Sequence, residues 1–159
     1  MAVDIGEEAI NRGSTCGDEK TIINKGNPAS VAGEVTSIDI WALSGWDITG
    51  LRVGTFYRTN GNTLKCRDSE SIAGTITAGS KVNKAVSLEV QVGDFIGCYY
   101  VGGKIELDGV GGGGWWYFNG EAIDPDDEET YVYYENYAMS LGGYITAVAA
   151  GRSFGFIIG

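Results

Sequence analysis

The residues of this 159-residue chain that could carry chemistry crowd into its last third. Glu121, Asp124, Asp126, Asp127, Glu128 and Glu129 put six carboxylates into nine residues with no basic residue among them. Carboxylates this dense repel one another unless water or a shared cation separates them. Calcium takes about six to eight oxygen ligands, and Asp124, Asp126, Asp127 and Glu128 are the candidate ligands. The EF-hand pattern, with Gly at the sixth loop position and Glu at the twelfth, is missing. A solvated loop is the competing reading. Glycoside hydrolysis needs two acids with separate roles, and nothing in this run separates them.

Aromatic residues flank the acidic run. Trp115, Trp116, Tyr117 and Phe118 precede it, and Tyr131, Tyr133, Tyr134, Tyr137 and Tyr144 follow. On a strand, Trp115 and Tyr117 share one face while Trp116 and Phe118 share the other. One pair is therefore expected to point away from the core. Trp115, Trp116, Tyr131 and Tyr134 are the candidate ligand-binding residues, because exposed rings beside carboxylates suit stacking on a sugar. Packing in the core or against a neighbouring subunit is the alternative.

What the chain lacks narrows its chemistry. With no histidine, Ser-His-Asp and Cys-His catalysis, His-ligated zinc and an imidazole pH switch are all excluded. Eleven basic residues against 21 acidic give a net charge of −10, which argues against nucleic acid as a partner. Cys16, Cys66 and Cys98 form no CxxC pair. Small buried thiols are expected, with one disulfide and a spare thiol as the alternative. Gly109 to Gly114 holds five glycines but lacks the Lys-Ser/Thr ending and following helix of a phosphate loop. No enzyme activity is expected. The start Met1-Ala2-Val3-Asp4 is acidic and carries no recognisable signal peptide, and no apolar run is long enough for a membrane span. The expectation is a chain made in the cytoplasm.

The elements that would position these residues have a period of two. Val82, Val86, Leu88, Val90 and Val92 alternate with polar or small residues, which makes a strand with one buried face. Thr36 to Ala42 and Leu51 to Arg58 repeat the pattern. Asn60-Gly61 predicts a hairpin turn, with Leu64 to Asp68 returning. Further strands are expected at 72–77, 95–101, 104–108, 115–118, 131–134, 138–141, 144–148 and 154–158. Glu7 to Arg12 has room for one helical turn. With 26 Gly and only 2 Pro, the chain depends on Gly and Asn for its turns. Together these predict one domain over residues 1–159, an all-β antiparallel β-sandwich of jelly-roll type.

Several stretches carry a resemblance: Ile38-Asp39-Ile40-Trp41-Ala42, Val53-Gly54-Thr55-Phe56-Tyr57, Gly61 to Asp68, Val92 to Gly97, Ile123 to Glu128 and Ala138 to Gly142. The chain resembles uncharacterised β-sandwich proteins of phage and environmental genomes over nearly its whole length. The resemblance implies a virion or surface β-module. The expected function is a non-enzymatic structural or interaction subunit, capsid-decorating, tail or fibre, or part of an extracellular assembly. Such a subunit would form a homo-oligomer or bind an assembly partner. A carbohydrate-binding module, with a glycan as partner and calcium in the acidic loop, is the alternative.

Overall fold

The computed structural model describes residues 2–148. Among them the alternating pattern becomes fourteen strands and no helix. In chain order these are β1 (Ile5–Gly6), β2 (Ser14–Cys16), β3 (Thr21–Asn24), β4 (Gly33–Trp41), β5 (Arg52–Asn60), β6 (Thr63–Ser71) and β7 (Lys81–Val90). There follow β8 (Phe95–Tyr99), β9 (Ile105–Asp108), β10 (Trp115–Phe118), β11 (Glu128–Thr130), β12 (Val132–Tyr134), β13 (Ala138–Met139) and β14 (Leu141–Ala147). Every pairing is antiparallel. The result is an all-β, sandwich-like fold.

One sheet has the order β1-β14-β4-β7, a second β11-β6-β5-β8-β3-β10-β12, and a third β13-β9-β2. β7 follows its alternation from Val86 to Val90, with Val86, Leu88 and Val90 buried and Ser87 and Glu89 exposed. Val92, expected on the buried face, lies beyond the strand and is 67% exposed. In β4 a bulge between Val35 and Ser37 shifts the register, so that Val35 and Ile38 both reach the core. The free edge of β7 is closed by side chains from β6. Ser87 N donates to Glu70 Oε1 at 2.8 Å, and Glu89 N to Asp68 Oδ2 at 2.8 Å. Carboxylates on an edge strand remove the template that another chain would pair with.

The second sheet rolls until its ends meet. β11 pairs with β6 at one end and β12 pairs with β10 at the other, yet only Tyr131 separates β11 from β12. Two peptide units span about 7 Å, so the two edges adjoin. The run 128–134 is in effect one strand that closes a six-membered ring with β6, β5, β8, β3 and β10. A side-chain bond reinforces the seam, from Trp116 Nε1 to Asn62 Oδ1 at 3.0 Å.

Two cores follow from this closure. The larger lies between the first sheet and the outside of the ring, with Ile38, Ile40, Leu88, Val53, Ile96 and Leu141 among its members. The smaller fills the ring with Ile23, Phe56, Leu64, Cys66, Phe95, Trp116, Ile123 and Tyr131. Gly54 and Gly97 face each other across β5 and β8 and make room inside. A Cβ on Gly97 would stand 2.8 Å from Phe56 Cε1, and one on Gly54 would stand 3.3 Å from Ile123 Cγ1.

Three sequence expectations need correction. Residues 72–77 form no strand; Ile76 makes a single bridge to Ile48 instead. Glu7 to Arg12 form no helical turn, because their polar groups are spent on distant strands, as in Arg12 N to Glu106 Oε1 at 2.9 Å. The hairpin turn is Gly61-Asn62, between the paired Asn60 and Thr63. Only Gly61 takes a left-handed conformation, at φ 58°, as a turn with Gly at its first central position requires. The strand expected at 154–158 lies outside the described residues.

Candidate functional site

β10 sets the geometry of the aromatic cluster. It lies between β3 and β12, so its alternate side chains enter two different environments. Trp116 points into the ring and is fully buried. Phe95 meets it edge-on at 5.0 Å and Tyr133 at 5.7 Å. Trp115 points out of the ring and is 7% exposed. Tyr134, its partner across the ladder, stacks on it at 5.8 Å and 25°. Tyr134 also stacks on Tyr117 at 5.8 Å and 12°, and Tyr137 closes the group at 6.1 Å from Trp115. The Tyr117 hydroxyl is raised above its ordinary pKa by its hydrogen bond with Tyr134, then by the charge on that neighbour.

The four aromatic candidates therefore separate. Trp115 and Tyr134 share a surface cluster in which Tyr134 is 44% exposed. Trp116 and Tyr131 are enclosed in the ring, and neither offers a face to a ligand. The expectation that one pair on β10 points away from the core holds for neither Trp, because the ring supplies β10 with a second core. Tyr117 and Tyr137, absent from the candidate set, complete the outer cluster. Period two already placed Tyr117 beside Trp115, whereas Tyr137 joins from a loop. Among the described residues, Trp115 Nε1 is the buried side-chain polar atom without a hydrogen-bond partner.

The acidic run is a strap across one end of the ring. Thr21 N donates to Gly120 O at 3.1 Å, and Ala122 N donates to Thr21 Oγ1 at 2.8 Å. Ile123 then inserts fully into the ring core. At the far side Cys66 N donates to Asp127 O at 2.8 Å and Asp126 N to Cys66 O at 2.9 Å. Arg52 grips the strap from β5, pairing with Glu121 and, at 2.5 Å, with Asp124 Oδ1. Asp127 Oδ2 accepts the Asp124 amide at 3.1 Å, a local turn bond.

Two of the four candidate metal ligands have side-chain roles in the strap, and the other two are exposed. Asp124 holds Arg52, and Asp127 caps the turn. Asp126 sits exposed in a left-handed conformation at φ 76°, and Glu128 lies in β11 opposite Lys65. Among the described residues no three Asp, Glu, Cys or His side chains gather as a metal site.

Other reactive groups are quiet. The three cysteines are free and buried. Burial pushes Cys16 up to about 11 and Cys66 up to about 12, and it raises Cys98 as well. Protonated thiols are poor nucleophiles. The buried Asp39 accepts Asn83 Nδ2 at 2.9 Å and the Tyr144 hydroxyl at 2.6 Å. That bond, then burial, moves Tyr144 to about 12. The buried Asp94 takes both Arg67 Nε at 2.6 Å and Arg67 Nη2 at 3.0 Å, a two-point ion pair that pins β6 to the turn before β8. No protein-family model matches the chain, and neither the curated proteins nor the solved structures yield a match.

Proposed function

We propose that this chain is a non-enzymatic structural module, a jelly-roll subunit that self-associates in a virion or an extracellular assembly. Strand order supports the jelly-roll reading. Take the eight strands β1, β3, β4, β5, β6, β7, β8 and β14 as one to eight. The two sheets then read 1-8-3-6 and 5-4-7-2, the double Greek-key arrangement met in viral capsid and lectin domains. The remaining long connection, between β8 and β14, builds β9 to β13 and brings the aromatic cluster and the strap.

One observation carries the functional reading. Val132, 47% exposed, and Tyr134, 44% exposed, lie on β12 over the packed Trp115 cluster. A Tyr- and Trp-rich apolar face on a rigid strand is the composition that interfaces favour. Light scattering coupled to size-exclusion chromatography, with electron microscopy of the eluted protein, tests it. The expected result is an oligomer or particle that Val132→Asp/Tyr134→Asp converts to a monomer. A strict monomer at high concentration overturns the reading.

A carbohydrate-binding module is the second reading, and the 44% exposed Tyr134 ring, stacked on Trp115, favours it. On a glycan array, binding that Trp115→Ala and Tyr134→Ala both abolish supports this reading. Binding to no glycan, or binding unchanged in both variants, removes it.

A further inference from the structure

The end of the ring opposite the strap gathers two cationic side chains beside a buried indole. Ile23 on β3 and Phe56 on β5 point into the ring, and period two carries Lys25 and Arg58 the same way, one step further along. Lys25 Nζ stands 5.5 Å from the centre of the Trp116 indole and 4.4 Å from that of Tyr133. The Arg58 guanidinium stands 5.2 Å from the same indole. Asn62 adds a third donor: its oxygen is taken by Trp116 Nε1, so its amide nitrogen remains to donate.

What sets these two cations apart is that both lie over one indole. Among the described residues, ion pairs engage Arg52 and Arg67, and none engages Lys25 or Arg58. Acidic residues outnumber basic ones by 21 to 11, yet among the described residues no carboxylate lies within 4.0 Å of either cation. Glu129 shares the cross-strand row Arg58–Leu64–Glu129 and stands one strand beyond Leu64. Trp116 is fully buried, so stacking on it is closed to a ligand. What remains is charge and N–H donors. A polyanion would be repelled by the net charge of −10, whereas one isolated anionic group would meet mainly the local field.

We propose that Lys25, Arg58 and Asn62 form a binding site for a single oxyanion, a carboxylate or sulfate group on a small molecule or a sugar. The site is separate from the Val132–Tyr134 face and does not depend on it. Nitrogen-15 NMR of the full chain tests it, since only 4 Trp indole N–H signals are present. Sodium sulfate and sodium glucuronate are titrated at constant ionic strength, with chloride as reference. The Trp116 indole signal is expected to shift saturably while that of Trp46 stays fixed. A response to sulfate alone identifies a free inorganic oxyanion, and a response to glucuronate alone identifies a sugar-borne carboxylate. Lys25→Gln/Arg58→Gln is expected to weaken binding at least about tenfold, the size of losing a charge-assisted contact. Each single variant gives a smaller loss and carries the test if the double variant does not fold. Glu129→Gln is expected to tighten binding by about twofold. No saturation by about 50 mM of either anion, or equal shifts in wild type and the folded charge variants, overturns the proposal.

Discussion

The two ends of the ring are closed by different means. At one end the backbone does the work: the strap runs from β10 to β6, bonds to Thr21 and Cys66, and drives Ile123 into the interior. At the other end side chains do it, with Lys25 and Arg58 lying over Trp116. A backbone plug is part of the core and cannot leave without unfolding its neighbours. A side-chain lid can change partners at little cost to the fold. Stability is therefore concentrated at the strap end and adaptability at the cationic end.

The contrast is broken most directly by emptying the plug. Ile123→Ala removes a fully buried side chain and is expected to cost about 2–5 kcal/mol in urea unfolding. A loss below about 1 kcal/mol would mean that the strap merely lies on the ring. Alkaline titration sharpens the same point. Burial holds Cys66 at about 12 and Cys16 at about 11, against 9.0 for a free thiol. From about pH 9 upward the unfolded chain releases protons that the folded chain keeps. Stability is therefore full below pH 9 and falls as pH rises toward those values. Cys66→Ala should flatten part of that decline in the urea midpoint, and an unchanged slope would count against an enclosed thiol at the strap end. The smallest effect belongs to Arg52→Gln. Its pairs with Glu121 and Asp124 are partly exposed, so a loss of about 1 kcal/mol or less is expected by the same measurement.

How much of this was legible in the sequence depends on the range of the contacts. β7 could be read from Val86, Leu88 and Val90 because one face is buried and the other is wet. The β5–β6 hairpin could be read from its Gly and Asn, although the turn sits one residue later than Asn60-Gly61 suggests. That shift matters, since it puts Asn62 where it receives the Trp116 indole. Ring closure had no local signal. Residues 128–134 look like an acidic tail and a tyrosine strand, and only pairing with both β6 and β10 makes them a seam. The enclosure of Trp116 and Tyr131 is hidden for the same reason, because a second core cannot be seen along one strand. Lys25 and Arg58 are 33 positions apart and look like ordinary surface charges. Only the shared indole connects them.

The β6 carboxylates that cap β7 amides also constrain how copies of this molecule can combine. Asp68 and Glu70 occupy two of the amides that an incoming strand would need, and the ring offers no open side along its seam. Among the described residues, ladder extension is thus discouraged at the longest outer strand. The self-association proposed above would then run through apposed surfaces, as in a shell or a lattice, rather than through an endless ribbon.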